Sequence, residues 1–168
     1  EGKVVEGDLR PSSDTPTHVL LYRHFKSIGG ITHTHSTYAT TFAQARLEIP
    51  VFGTTHADHF FGPIPLTRPL TEAELDAGYE VNTGTVIVER FAKLDPVAMP
   101  AVLVAGHAPF AWGKNVAESV KNAVALEAVA QMALGVLALS PGGVTLEPYV
   151  LKKHYERKHG PNAYYGQK

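Results

Sequence analysis

Helical spacing of apolar residues dominates the chain. The longest such pattern, residues 116–139, has apolar positions that are typical of a core helix. Capping and stop signals predict three further helices, at about residues 16–27, 36–46 and 147–158, with Ser36 as the cap of the second. Thr71, followed three residues later by Glu74, predicts the start of a short helix. Residues 84–94 fit either a strand or a helix, and their polar side favours a helix.

Strand patterns are confined to shorter stretches. Residues 100–106 form an almost wholly apolar run, which predicts a strand buried on both faces. Gly29 and Gly30 introduce a second, short strand that carries the sequence Ile-Thr-His-Thr-His. The weaker assignments are strand-like runs at residues 3–7 and 47–55 and a turn at residues 109–113.

The composition fits one ordinary domain. With 168 residues, 44% of them hydrophobic, the chain is large enough to bury one core. Its net charge of -1 gives no electrostatic case for nucleic acid or an acidic membrane as a partner. Cysteine is absent, which excludes disulfides, thiolate catalysis and cysteine-based zinc sites. A long charge-free interval, residues 128–145, is interrupted by polar and turn residues, which argues against a membrane span.

Histidines are the first candidates for chemistry, since the chain has nine of them and they cluster. His33 and His35 lie two residues apart, so a strand would point both imidazoles to one face, about 6.6 Å apart along the chain. Such a pair binds divalent metals, and the alternative is two unrelated surface histidines. His107 likewise follows a strand and a glycine. Three histidines and one carboxylate would suit Zn²⁺ and leave room for a substrate oxygen.

Two carboxylates are candidates for the same site. Asp14 precedes a helix in a Ser-Ser-Asp loop and is either a metal ligand or an ordinary helix N-cap. Asp58 lies between His56 and His59 and is either a general acid or base, or a turn residue. Tyr165 belongs to a tail that would ordinarily fray. The basic residues near the C-terminus are typical of a solvated helix face, and they are Lys152, Lys153, His154, Arg157 and Lys158.

Five motifs, in order along the whole chain, resemble the L-ribulose-5-phosphate 4-epimerases of the class II aldolase family. They occupy residues 12–18, 29–36, 54–58, 106–115 and 158–167. The resemblance implies an α/β fold with three layers, α/β/α, and a central, mainly antiparallel sheet. It also implies a single domain over residues 1–168, and a cytoplasmic homotetramer with active sites between subunits. Because the family has a further N-terminal segment that carries phosphate-binding residues, we expect that a beginning is missing here.

The same resemblance implies a role for individual residues. The metal ligands would be Asp14, His33, His35 and His107. The phosphate would contact Ser12 and Ser13, beside a helix start that favours anions. The proton-transfer groups would be Asp58 and, from a neighbouring subunit, Tyr165, with His154 and Arg157 near the adjacent site. Ala108 departs from the usual glycine, a change that we expect to be tolerated.

The implied reaction is a reversible retro-aldol that interconverts L-ribulose 5-phosphate and D-xylulose 5-phosphate. A divalent metal, Zn²⁺ by expectation, would stabilise the enediolate that forms as carbons 3 and 4 separate. The aldehyde then rotates, and the bond re-forms on its other face. Two alternatives remain at this point. One is an aldolase of the same family that releases its products, and the other is an inactive metal-binding fragment.

Overall fold

The computed structural model describes residues 3–165, which form six helices and three strands. The helices are α1 (Thr15–His24), α2 (Thr37–Ala45), α3 (Thr54–Ala57), α4 (Glu72–Arg90), α5 (Val116–Leu139) and α6 (Pro148–His159). The strands are β1 (Gly30–His33), β2 (Ala101–Leu103) and β3 (Pro109–Gly113). Within these residues the sheet is antiparallel, in the order β1-β3-β2.

Helices cover both faces of this sheet. Thr32 of β1 faces α5, because its hydroxyl lies 2.8 Å from that of Ser119, and Thr32 is paired with Ala111. Side chains alternate along a strand, so the next pair, Ile31 and Trp112, points to the opposite face. There Trp112 contacts Phe25 and Phe91, which end α1 and α4. The expected α/β fold, with an antiparallel sheet between helical layers, is confirmed.

Several helix starts follow from their capping residues. Thr71 and Glu74 form a complete capping box, and Asn115 accepts a hydrogen bond from the amide of Glu118. The α4 helix is longer than predicted, since it continues to Arg90 through a break at Gly78, where φ is 143°. Residues 84–90 are thus helical, which confirms the prediction made from the polar side of this segment. The positive φ makes glycine the natural residue at this break.

Four local predictions were wrong. Residues 3–7 are exposed and form no strand, and the 47–55 run contributes a single bridge, between Ile49 and Ile64. Residues 109–113 are the central strand rather than a turn, because their apolar side chains fill both faces of the sheet. Ser36 occupies the N-cap of α2, but its hydroxyl makes no capping bond. Instead, the carboxylate of Glu127 accepts hydrogen bonds from the amides of Tyr38 and Ala39 in the first turn of that helix, both at 2.9 Å.

The α5 helix is long and apolar enough to cross a membrane, judged by length and composition only. The core helix of a globular protein passes the same test. Here α5 packs against β1, β3 and α2, and buries Leu126, Val129, Ala130 and Ala133 among other core residues. The helix therefore supports the sheet.

Candidate active site

Three histidines converge at one end of the sheet. His33 is the last residue of β1, His35 lies two residues beyond it, and His107 lies in the loop between β2 and β3. Their ring centroids form a near-equilateral triangle with sides of 5.1, 5.0 and 4.9 Å. One nitrogen from each ring lies within 4.8 Å of the others. This donor set and spacing fit a divalent metal ion, as the sequence predicted.

The surroundings prepare two of these rings for metal binding. His33 donates a hydrogen bond from Nδ1 to the carbonyl of Pro109 at 2.9 Å. Its other ring nitrogen, Nε2, is then unprotonated and free to bind a metal ion. Its ring stacks on Phe110, at a centroid distance of 4.0 Å. Burial lowers the pKa of both His33 and His107. Both imidazoles are therefore neutral at neutral pH, the form that binds metal.

Asp14 is close to this cluster, although its carboxylate is not within the 4.8 Å group. Its charge raises the pKa of His33 and His107, against the larger lowering by burial. Asp14 precedes α1 at the N-cap position but makes no side-chain capping bond. Its contact is with Ser12, whose hydroxyl lies 3.4 Å from one carboxylate oxygen. The ordinary capping explanation therefore does not account for this carboxylate.

Tight packing fixes the strand that carries His33. A side chain at Gly29 or Gly30 would collide with the backbone of Lys114 or Asn115, at the start of α5. The two glycines thus allow β1 to approach α5 closely, which is their physical role here.

Tyr79 is a neighbour of the metal cluster that the sequence reading missed. Its hydroxyl lies 3.2 Å from Nδ1 of His107, and it follows directly after the break at Gly78. The signal in the sequence is the glycine inside a helical pattern, which marks a special backbone position.

A second cluster forms around Asp58. One carboxylate, 14% exposed, contacts Nδ1 of His154 at 3.1 Å, Nη2 of Arg157 at 3.0 Å and Nζ of Lys158 at 3.1 Å. His159 donates to the backbone carbonyl of Asp58 at 2.9 Å. Burial alone raises the pKa of Asp58, but the hydrogen bonds from Arg157, Lys158 and His154 outweigh it and lower the pKa. Asp58 is therefore ionised at neutral pH.

The tail beyond α6 folds back onto this second cluster. The amide of Tyr165 donates to the carbonyl of Arg157 at 3.0 Å. Its ring lies 4.1 Å from the guanidinium carbon of Arg157 and 5.4 Å from Nζ of Lys158. Asp58 and Tyr165 thus share two cations. The end of the predicted tail motif, Gly166 and Gln167, lies outside the described residues.

The two clusters lie at opposite ends of strand β3. His33 is paired with Phe110 at the start of β3. A cavity of about 220 Å³ lies at the other end, where Gly113 and His159 both contribute to its wall. His159 also contacts Asp58, so the second cluster borders this cavity. The four steps along β3 from Pro109 to Gly113 span about 13 Å. Among the described residues, one chain therefore does not bring the metal cluster and Asp58 to the same point. This departs from the expectation that only Tyr165 comes from a neighbouring subunit, because Asp58 lies with Tyr165 in the second cluster.

The charge pattern alone predicted a solvated basic face near the C-terminus, which is wrong for three of its residues. His154, Arg157 and Lys158 are spaced by three and four residues, which places them on one side of a helix. That side faces Asp58, whereas Lys152 remains at the surface in a 3.8 Å pair with Glu156. The spacing was visible in the sequence, but its partner was not.

Comparison with known proteins gives a consistent result. Residues 1–134 match the family described as "Class II Aldolase and Adducin N-terminal domain". Over all 168 residues the chain is 54% identical to proteins of Salmonella paratyphi A and Salmonella typhi, and it spans 74% of their length. Both carry the name L-ribulose-5-phosphate 4-epimerase UlaF, the enzyme that the motifs predicted.

Solved structures show the same fold. An L-fuculose 1-phosphate aldolase is 24% identical and superimposes with a TM-score of 0.69, over 91% of this chain and 66% of its own. The expected resemblance is confirmed: the chain belongs to the class II aldolase family.

Proposed function

We propose that this chain is an L-ribulose-5-phosphate 4-epimerase that works by metal-dependent cleavage and re-formation of a carbon–carbon bond. The observation that carries the proposal is the triangle of His33, His35 and His107, in a chain 54% identical to proteins named for that activity. The substrate is a small sugar phosphate, and the product is its epimer, D-xylulose 5-phosphate.

The three histidines and Asp14 hold one divalent ion, Zn²⁺ by the preference of imidazole and carboxylate ligands. The support is the converging imidazoles and a carboxylate that is free of capping bonds. When bound, the ion supplies a Lewis acid that stabilises negative charge on substrate oxygens. The Pro109 carbonyl fixes the ring orientation of His33, so this ligand is oriented before a metal ion binds.

Ser12 and Ser13 bind the substrate phosphate. Both directly precede the N-cap residue of α1, and a helix N-terminus favours anions. The hydroxyl of Ser12 already lies near Asp14, which connects the phosphate contact to the metal ligands.

Asp58 and Tyr165 move the protons. Asp58 accepts the proton of the substrate's hydroxyl at carbon 4 as the bond between carbons 3 and 4 breaks. The aldehyde rotates and the bond re-forms, and the new alkoxide takes a proton from the phenol of Tyr165. The ionised state of Asp58 at neutral pH supports its role as the base. His154 and Arg157 orient Asp58 and line the same site.

A complete site requires two copies of the chain. The metal cluster and the Asp58 cluster lie at opposite ends of β3, so a neighbouring copy supplies Asp58, Tyr165, His154 and Arg157 to the metal of the first. We propose a homotetramer, in which such shared sites repeat by symmetry. The enzyme works in the cytoplasm and needs neither nucleic acid nor membrane, in keeping with its small phosphorylated substrate and its net charge of -1.

The test is an NMR time course of L-ribulose 5-phosphate with the purified protein, with and without a chelator. Chelator-sensitive appearance of D-xylulose 5-phosphate is the expected result. Accumulation of free glycolaldehyde phosphate as the main product would identify an aldolase instead. No conversion, with metal content verified, would identify an inactive metal-binding protein and reject the proposed function.

A further inference from the structure

The cations around Asp58 have a second neighbour. Lys158 places its ammonium 3.1 Å from a carboxylate oxygen of Asp58 and 5.4 Å from the ring centre of Tyr165. Arg157 likewise contacts that carboxylate at 3.0 Å and lies 4.1 Å from the same ring. Two positive charges therefore lie between the two groups to which the proposed function gives the proton transfers.

We propose that Lys158 is a positioning residue for the reaction: with Arg157, it forms a counter-ion shared by the Asp58 carboxylate and the Tyr165 phenol. The proposal rests on the proposed function for its catalytic meaning. Lys158 itself transfers no proton and contacts no substrate, and it acts by holding positive charge beside the two groups that transfer the protons.

The charge balance explains why one shared counter-ion suits both Asp58 and Tyr165. Before the reaction Asp58 is a carboxylate and Tyr165 a neutral phenol. After Asp58 has accepted a proton from the hydroxyl at carbon 4 and Tyr165 has given one to the new alkoxide, Asp58 is neutral and Tyr165 is a phenolate. The pair carries one negative charge in both states, so the same two cations stabilise each. The cycle closes when a proton passes from Asp58 to Tyr165 by way of solvent, to which Tyr165 is 54% exposed.

Lys158 and Arg157 are distinguished by this double contact from the other charged residues around Asp58. His154 and His159 contact Asp58, one at the carboxylate and the other at the backbone carbonyl. His59 follows Asp58 in the chain. The positive charges of Lys158 and of Lys121 in α5 both lower the pKa of His59, in addition to the larger effect of burial. Only Arg157 and Lys158, among the described residues, contact the Asp58 carboxylate and also the Tyr165 ring.

The test compares Lys158→Met, which removes the charge and keeps the stem, with Lys158→Arg, which restores a cation. The control is Lys152→Met on the same helix, where the lysine is 65% exposed. Because Lys158→Met removes a hydrogen bond to a charged group, we expect it to lower kcat by roughly ten- to a hundredfold. We expect KM and metal content to be unchanged, and the acid limb of the kcat profile to move to higher pH. Lys158→Arg should recover most of kcat, and Lys152→Met should match the parent.

A titration that needs no substrate separates this inference from the proposed function. Carbon NMR of the Asp58 carboxyl should show protonation at higher pH in Lys158→Met than in the parent, even if the parent lacked epimerase activity. An unmoved Asp58 titration, a kcat within twofold of the parent, or a loss of kcat that arginine does not rescue would each overturn the proposal.

Discussion

Replacing Asp58 with asparagine should loosen helix α6, because three side chains of that helix contact the Asp58 carboxylate. No residue of α6 is buried. Its contacts with the segment that follows α3 are the three side chains on the Asp58 carboxylate, the His159 bond to the Asp58 carbonyl, and a ring contact between Phe61 and Tyr155 at 5.0 Å.

The magnitude follows from these contacts. Asparagine keeps the size of the side chain and one acceptor oxygen, and it loses the charge that faces His154, Arg157 and Lys158. A hydrogen bond to a charged group contributes about 1.5–3 kcal/mol, and exposed ion pairs contribute less. The partners are 21–23% exposed. We therefore take the lower end, about 2 kcal/mol in total, which would raise the open population of α6 roughly 30-fold.

Amide hydrogen exchange measures this directly. Residues 148–159 should exchange roughly 30-fold faster in Asp58→Asn, while the amides of α5 and β3 remain as protected as in the parent. Asp76→Asn, at an exposed position on α4, is the matched control and should leave exchange in α6 unchanged. A change of less than threefold in α6, or one spread evenly over the whole chain, would refute the attachment of α6 through Asp58.

Three further predictions concern the assembly, the strand carrying His33, and acid stability. Mixing inactive His35→Ala with inactive Tyr165→Phe subunits should recover activity in about a quarter of the sites, since a shared site then regains two native halves; no recovery would contradict a site between copies. Gly30→Ala should lower the free energy of unfolding by about 2 kcal/mol in denaturant melts, because the new methyl collides with Asn115. Gly135→Ala, with open space around it on α5, should not destabilise, and an equal loss in both would reject the close-approach argument. Burial lowers the pKa of His56 to about 4, so the unfolded chain takes up the proton first and stability should fall by about 3 kcal/mol as pH drops from about 6.5 to about 4. His56→Gln should flatten that slope, and a slope identical to the parent's would contradict the assignment.

The sequence predicted correctly those elements whose structure depends on residues close together in the chain. The capping box at Thr71, the long apolar pattern of α5 and the glycines before β1 each predicted what the structure contains. The His-x-His spacing likewise predicted a shared metal cluster, although β1 ends at His33 and His35 lies two residues beyond the strand.

Nonlocal contacts account for what the sequence did not reveal. Residues 109–113 look like a turn because of Pro109 and Gly113, and only the partners β1 and β2 make them a strand. The cap of α2 comes from Glu127, almost ninety residues away, rather than from the adjacent Ser36. The basic face of α6 looked solvated because its partner, Asp58, is about a hundred residues distant.

The most direct test of the central claim is reconstitution of the metal-free enzyme. The protein is stripped with a chelator and titrated with Zn²⁺, and epimerase activity is measured against bound metal. The account predicts no activity at the start, full activity at one ion per chain, and neither tight binding nor recovery in His35→Ala. Full activity of the stripped protein, or normal metal binding by His35→Ala, would contradict it.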